Sequence, residues 1–167
     1  MPEPGTTALV ILLPAAEPIL DAARRVDPAL VRPGLPAHVT ALYPFLPADG
    51  AVLEATRELA ATFSPTDVPL TDFVTAPGFA AIPAPALQPI TDAACERWPS
   101  VQPYGGRFGP RPDAHVTVAM GGDAEVLERV AAEVRPLLPV RDRAVELQLV
   151  ALTDRGWEPR LTVPFGG

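Results

Sequence analysis

Runs of apolar residues and amphipathic stretches alternate along the first half of the chain. The residues from Thr7 to Leu13 are almost all apolar, which predicts a buried strand near the centre of a sheet. Between Gly50 and Phe63 apolar side chains recur at helical spacing, and Asp49 is a suitable N-cap. The elements predicted for this half are a strand at Thr7–Leu13, a helix at Glu17–Val26, a strand at Ala37–Tyr43, a helix at Gly50–Phe63, and strands at Leu70–Thr75 and Phe79–Ile82.

The second half repeats this order. Its predicted elements are a helix at Leu87–Trp98, a Gly-rich loop at Pro103–Pro112, a strand at Ala114–Met120, a helix at Asp123–Leu138, and strands at Ala144–Thr153 and Trp157–Val163. The tripeptide His-Val-Thr occurs in both halves, at 38–40 and 115–117, and Val-Leu-Glu follows each copy, at 52–54 and 126–128. We therefore predict an α+β fold, in which residues 1–167 form one bilobal domain with two pseudo-symmetric sheet-and-helix lobes around a central cleft.

The two His-Val-Thr copies contain both histidines of the chain and are the strongest candidates for a catalytic site. Side chains at positions i and i+2 of a strand share a face, so His38 points the same way as Thr40, and His115 the same way as Thr117. A neutral imidazole can take a proton from water, a protonated one can protonate a leaving oxygen, and the hydroxyls can donate to phosphate oxygens. These groups predict metal-free phosphoryl chemistry, such as the opening of a cyclic phosphodiester or its reverse.

Composition excludes several other classes of enzyme. All 13 basic side chains are arginines, which excludes a P-loop lysine, a Schiff base and a covalent lysyl-nucleotide. Neither Ser64 nor Ser100 lies in a Gly-x-Ser-x-Gly turn. The single cysteine, Cys95, has no partner for a disulfide or a metal pair, and we expect it to be buried in a helix. We expect neither a metal nor a cofactor.

Charge and hydropathy limit the partners and the compartment. The net charge of −7 argues against duplex DNA, although a local group of arginines can hold a small phosphorylated ligand. The apolar run Ala8–Leu13 is too short for a membrane span or a signal segment. Together with the unpaired cysteine, it predicts a cytoplasmic protein without membrane contact, which we expect to be a monomer.

Two segments resemble a known family. Pro36–Phe45 (Pro-Ala-His-Val-Thr-Ala-Leu-Tyr-Pro-Phe) and Asp113–Ala119 (Asp-Ala-His-Val-Thr-Val-Ala) are similar to the paired His-x-Thr-x motifs of the two-histidine (2H) phosphoesterase superfamily, in particular its bacterial 2′-5′ RNA ligase-like branch. The resemblance covers nearly the whole chain. It implies a bilobal fold, no metal, and action on 2′,3′-cyclic phosphates or 2′-5′ linkages of RNA ends or nucleotides. It further implies that His115 is the base and His38 the acid.

Two other functions remain open at this point. The cleft can bind a nucleotide or an RNA end without turnover, or the protein can be an esterase for a cyclic phosphate outside RNA, such as one of ADP-ribose. Because the chain is acidic and has no lysine, a small cyclic-phosphate nucleotide is also an alternative to an RNA end as the substrate.

Six further residues are candidate substrate contacts: Tyr43, Phe45, Tyr104, Arg107, Phe108 and Arg111. The last four lie in the loop before the second His-Val-Thr, where arginines can clamp phosphate and rings can stack a base. Arg107 is the better phosphate candidate, and the alternative for this loop is a solvated turn anchored by one ring. Tyr43 and Phe45 either line the mouth of the cleft or pack the lobe interface, which is the stronger expectation. Trp157, in the last hairpin, is expected to pack.

Overall fold

The computed structural model describes residues 2–166. Over this range the chain forms nine strands, β1 (Thr7–Leu12), β2 (His38–Leu42), β3 (Thr66–Leu70), β4 (Val74–Ala76), β5 (Phe79–Pro83), β6 (His115–Met120), β7 (Val140–Ala144), β8 (Glu146–Thr153) and β9 (Gly156–Pro164). It also forms four α-helices, α1 (Glu17–Val26), α2 (Gly50–Ala61), α3 (Gln88–Arg97) and α4 (Ala124–Val134).

Seven strands form one antiparallel sheet in the order β4-β5-β6-β2-β1-β8-β9, and β3 pairs with β7 in a second, two-stranded sheet. The strands with the two His-Val-Thr copies, β2 and β6, are neighbours. The order around them is symmetrical, because β1 flanks β2 as β5 flanks β6, and β8 flanks β1 as β4 flanks β5. The predicted α+β fold with two pseudo-symmetric halves is confirmed, and the halves share one continuous sheet.

The four helices cover one face of the large sheet. Ile19 of α1, Leu59 of α2, Ile90 of α3 and Val130 of α4 belong to one core cluster with the inward residues of the strands. Cys95 is buried in the same cluster, as expected. On the other face a small cluster contains no helical residue and consists of Ala8, Val10 and Val150, with Leu12, Leu35, Tyr43 and Trp157 packed against it. No helix within residues 2–166 is long and apolar enough to cross a membrane.

The repeated helices α2 and α4 begin in the same way. The side chain of Asp49 accepts a hydrogen bond from the backbone N–H of Val52 at 2.9 Å, and that of Asp123 accepts one from Val126 at 2.9 Å. Each aspartate is an N-cap that satisfies one of the free N–H groups of a first helical turn. The cap predicted at Asp49 is thereby confirmed.

The small sheet is the part of the fold that the pattern predicts least well. The strand predicted at Leu70–Thr75 is wrong, because β3 ends at Leu70 and a break separates it from β4. Pro69 within β3 and the charged residues at 141–143 of β7 are unusual in a strand. These segments become strands by pairing with each other across the chain, with Asp67 ion-paired to Arg143.

The last helix is shorter than the Asp123–Leu138 prediction. It ends at Val134, and a 3-10 turn follows at Arg135–Leu137. Pro136 has no N–H to donate and its ring disfavours a further α-helical turn. Leu137, which a continued helix would place on the same face as Val130 and Val134, is consequently 41% exposed.

Candidate active site

The two His-Val-Thr tripeptides lie side by side on β2 and β6. Val39 is the partner of Val116 across these antiparallel strands, and both valines are buried in the core. In this register His38 lies opposite Thr117, and the other histidine lies opposite Thr40. The four polar side chains therefore share the face of the sheet opposite the helices, which we call the site face. The two histidines are diagonal neighbours across these strands. The Cα atoms of such a pair lie about 7–8 Å apart.

Both imidazoles are held in the same orientation by the backbone. Nδ1 of His38 lies 2.8 Å from the carbonyl oxygen of Pro36, and Nδ1 of His115 lies 2.7 Å from that of Asp113. A carbonyl oxygen only accepts, so Nδ1 carries the hydrogen in each ring. Each Nε2 is then a proton acceptor in the neutral ring and a donor in the protonated ring. Either histidine can serve as a base or as an acid.

The imidazole of His115 is close enough to influence the pKa of His38. Burial lowers the pKa of His38 below its ordinary value, and positive charge on His115 lowers that pKa further. The hydrogen bond to the Pro36 carbonyl and the carboxylate of Glu17 raise the pKa and oppose part of this shift. Because two charged rings repel each other, the pair favours states that carry a single proton, which is the state that acid and base catalysis requires.

A β-bulge changes which side chains continue the site face along β6. Between Ala80 and Ala81 the register with β5 shifts, so that the step from Thr117 to Ala119 is matched by one residue of β5. Ala119 is fully buried and belongs to the main core, whereas Met120 is partly exposed. Strict alternation from His115 would place Ala119 on the site face and Met120 in the core, and the bulge breaks this alternation at the end of the strand.

An aromatic group borders the Thr40 side of the site. Burial of the Tyr104 ring raises the pKa of its phenol, and the nearby hydroxyl of Thr40 opposes part of this shift. The backbone of Tyr104 is left-handed (φ 52°), and its N–H donates to the Tyr43 carbonyl at 2.6 Å. The Tyr43 ring centroid lies 6.2 Å from that of Tyr104 and 6.3 Å from that of Trp157. The left-handed residue thus brings the loop before β6 back over β2.

A different ring borders the second histidine. Phe79, at the start of β5, meets the imidazole of His115 edge to face, with centroids 5.6 Å apart. Between them in the sheet lie Ala81 and Thr117, which are opposite each other. The small methyl of Ala81 leaves space for the Phe79 ring to reach the histidine. The sequence pattern did not single out Phe79.

The remaining candidate contacts separate into two groups. Phe45 packs edge-on against Trp98, at 4.7 Å between centroids, and lies against the main core. Arg111 is ion-paired with Glu96 of α3, at 3.6 Å. Phe108 is exposed and meets Tyr104 at 5.3 Å, with the guanidinium of Arg107 5.2 Å from its ring. Tyr43, Tyr104, Phe108 and Arg107 therefore form a connected group next to Thr40, whereas Phe45 and Arg111 do not join it.

Two polar residues that the pattern missed hold the strands of the site. The carboxylate of Glu17 accepts a hydrogen bond from the N–H of Ala37 at 2.8 Å, and the amide oxygen of Gln88 accepts one from Ala114 at 2.7 Å. A repeat signals them in the sequence, because Glu/Gln-Pro-Ile-x-Asp-Ala-Ala begins at both 17 and 88. Within residues 2–166 no three or more His, Cys, Asp or Glu side chains are grouped as metal ligands would be.

The chain is similar in fold to several solved structures. E. coli LigT in its apo form superposes with a TM-score of 0.58 at 16% identity, over 99% of this chain and 100% of that one. E. coli LigT complexed with NADP+ gives 0.56 at 19% identity, over 99% and 100%. Usb1 from Kluyveromyces marxianus gives 0.58 at 17% identity, over 98% and 99%. At these identities the likeness establishes the fold.

The family is established by sequence. No curated protein matches the chain. Residues 13–156, however, match the family model of the 2′-5′ RNA ligase superfamily, and this range includes both His-Val-Thr strands. The chain therefore belongs to the 2′-5′ RNA ligase superfamily of two-histidine phosphoesterases.

Proposed function

We propose that the protein opens 2′,3′-cyclic phosphodiesters of nucleotides or RNA ends by acid and base catalysis of His38 and His115. The observation that carries this proposal is the placement of two imidazoles and two threonine hydroxyls on one face of adjacent strands. Each imidazole is oriented through Nδ1, which leaves its Nε2 for proton transfer. Membership of a superfamily of RNA ligases and phosphoesterases supports an enzyme of this class.

The groups of the site suffice for both proton transfers of the reaction, from the attacking water and to the leaving oxygen. Water attacks phosphorus while the neutral imidazole takes its proton, and the bond from phosphorus to one ribose oxygen breaks. The protonated imidazole gives its proton to that leaving oxygen, so the two histidines exchange charge states and the product is a nucleoside monophosphate. Thr40 and Thr117 donate hydrogen bonds to the non-bridging oxygens, where negative charge increases. The same sequence, with a ribose 5′-hydroxyl in place of water and the 3′ oxygen as the leaving group, forms a 2′-5′ linkage.

The surroundings of the site favour a nucleotide-sized substrate. Tyr104 lies next to Thr40, and the rings of Tyr43 and Trp157 extend this aromatic group. Base stacking on aromatic rings contributes about 1–3 kcal/mol per base. Arg107, which lies over Phe108, is the cation of this group. The solved complex of the similar E. coli LigT with NADP+ also supports a nucleotide ligand. The role of the aromatic group in binding is part of the proposal.

A substrate panel tests this function. We expect turnover of 2′,3′-cyclic AMP that persists in EDTA, with a bell-shaped pH profile, and no turnover of 3′,5′-cyclic AMP. The panel also contains a 2′-5′-linked dinucleotide and a cyclic phosphate of ADP-ribose. Preference for the cyclic phosphate of ADP-ribose would indicate that the substrate is a cyclic phosphate outside RNA. Thermal stabilisation by these ligands without any turnover would instead identify a binding module, and activity lost in EDTA would contradict the metal-free mechanism.

A further inference from the structure

The residue before each histidine is held by an identical pair of hydrogen bonds. The carbonyl of Ala37 accepts from the N–H of Leu13, and that of Ala114 accepts from Ala84, each at 2.8 Å. The N–H groups of both alanines donate to a side chain on the first residue of a helix, α1 or α3. Both alanines are buried, at 1% and 4% exposure, so these N–H groups have no access to water. We call each of these pairs of hydrogen bonds a clamp. The two clamps fix where β2 and β6 begin.

The two acceptor side chains differ in charge and in their other partners. In the first half the acceptor is the carboxylate of Glu17, whose other oxygen lies 3.1 Å from the guanidinium of Arg24. In the second half the acceptor is the neutral amide of Gln88, which donates its NH2 group to the carbonyl of Pro112 at 3.1 Å and to Asp92 at 3.0 Å. A carboxylate and an amide of the same length make the same bond to the backbone. Only the carboxylate also acts on the neighbouring histidine by its charge.

We propose that Glu17 is a positioning residue whose charge makes His38 chemically different from His115, whereas Gln88 positions His115 without charge. This inference rests on the proposed function, in which the two histidines must occupy different protonation states at the same time. The repeated backbone makes the two rings nearly equivalent in geometry. An unequal pair of clamps supplies the difference that decides how a single proton is distributed between them.

Other charged groups near Glu17 determine whether each substitution raises or lowers the pKa of His38. The charged groups that act on His38 are the imidazole of His115 on β6 and, more weakly, the carboxylate of Glu17 at the start of α1. Arg24, also on α1, pairs with both Glu17 and Asp21, at 3.1 and 2.7 Å. From β7, Asp142 accepts a hydrogen bond from the N–H group at 15, in the turn that leads into α1. Removing the Glu17 charge therefore lowers the pKa of His38, and removing the Arg24 charge raises it.

The experiment is an NMR titration of the imidazole Cε1–H signals, which the chain makes simple because it has two histidines. Glu17→Gln keeps an acceptor for the N–H of Ala37 and removes the charge. We expect the midpoint of His38 to fall by about half a pH unit. Arg24→Gln is expected to move the same midpoint in the opposite direction, which loss of structure alone does not predict.

Controls separate charge from anchoring. Glu54→Gln removes a carboxylate that is ion-paired with Arg57 at 3.4 Å on the exposed side of α2, and it should leave both midpoints unchanged. Glu17→Ala removes the hydrogen bond as well as the charge, so it should lower the thermal midpoint more than Glu17→Gln does. Equal midpoints for His38 in the wild type and in folded Glu17→Gln, or movement in the same direction in Arg24→Gln, would overturn the inference.

The titration does not require turnover, so it separates this inference from the proposed function. If the midpoints of His38 move as expected but no cyclic phosphate is hydrolysed, the proposed function fails while the effect of Glu17 on its histidine stands. If cyclic phosphates are hydrolysed and the midpoints do not move, the inference fails alone. When both hold, the limb of the pH profile that belongs to His38 should shift in Glu17→Gln by the same amount as the NMR midpoint.

Discussion

The halves around His38 and His115 share a backbone plan and differ in the side chains that surround it. In both, a buried alanine precedes the histidine and a carbonyl two residues back orients the ring. The first half adds the charged Glu17, and the second adds the neutral Gln88 and the ring of Phe79. The repeat thus supplies the two histidines that we propose as acid and base, while residues outside the repeated tripeptide give the two rings different surroundings.

The largest effect is expected from removing either histidine. His38→Ala and His115→Ala should each lower kcat for 2′,3′-cyclic AMP about 10³–10⁴-fold, because each loses one proton-transfer step. Neither ring is fully buried, so both variants should fold, which circular dichroism checks. A variant with wild-type kcat would show that the two halves do not act in one reaction.

The threonines should come next. Thr40→Val and Thr117→Val remove one hydroxyl each while keeping the shape of the side chain, and we expect kcat to fall about 100-fold in each. Thr→Ser at the same position keeps the hydroxyl and serves as the matched control. If Thr40→Val alone is impaired, only the half next to Tyr104 holds the phosphate, and the proposed symmetry of phosphate binding is wrong.

The aromatic group should affect binding more than chemistry. Trp157→Leu and Tyr104→Leu are expected to raise KM for 2′,3′-cyclic AMP about tenfold with a small change in kcat, since stacking acts on the base. Phe79→Leu, in the other half, should leave this KM nearly unchanged. Ribose 2′,3′-cyclic phosphate, which has no base, is the control substrate. An equal rise in KM for this compound would mean that the rings shape the phosphate site instead of holding a base.

The smallest effect concerns stability and pH. The pKa of His38 in the folded protein lies below the unfolded value of about 6.5, chiefly because folding removes part of the ring from water. The unfolded chain then binds a proton at a higher pH than the folded one, so stability falls as the pH drops from about 6.5 through the folded pKa. Urea unfolding along this window should show a weaker pH dependence in His38→Gln than in the wild type. If the free energy of unfolding has the same slope against pH in both proteins, burial of His38 does not make the fold sensitive to acid.

Local patterns were enough to predict the parts of the site that depend on neighbouring residues in the chain. Alternation in His-Val-Thr predicts that each histidine shares a face with its threonine, and Val39 is buried as that pattern requires. The predicted helix starting at Gly50 follows from the local capping preference of Asp49. These features depend on strand and helix periods alone.

Features that depend on distant contacts could not be predicted in the same way. The pairing of Val39 with Val116 joins residues from the two halves, and the bulge that buries Ala119 arises only where β5 meets β6. The left-handed backbone of Tyr104 likewise follows from the bond that its N–H makes to Tyr43. By contrast, the repeat that contains Glu17 is visible in the amino-acid sequence. Its two copies differ in charge at their first residue, Glu17 or Gln88.

A crystal structure of the protein with a nucleoside 2′-monophosphate or vanadate bound would show directly whether the two histidines act on one phosphate. We expect Nε2 of His38 and Nε2 of His115 both to lie within about 2.6–3.2 Å of oxygens on the same phosphorus or vanadium centre. A phosphate contacted by one histidine alone, or bound elsewhere with both imidazoles free, would contradict the claim that the two His-Val-Thr strands form one acid and base pair.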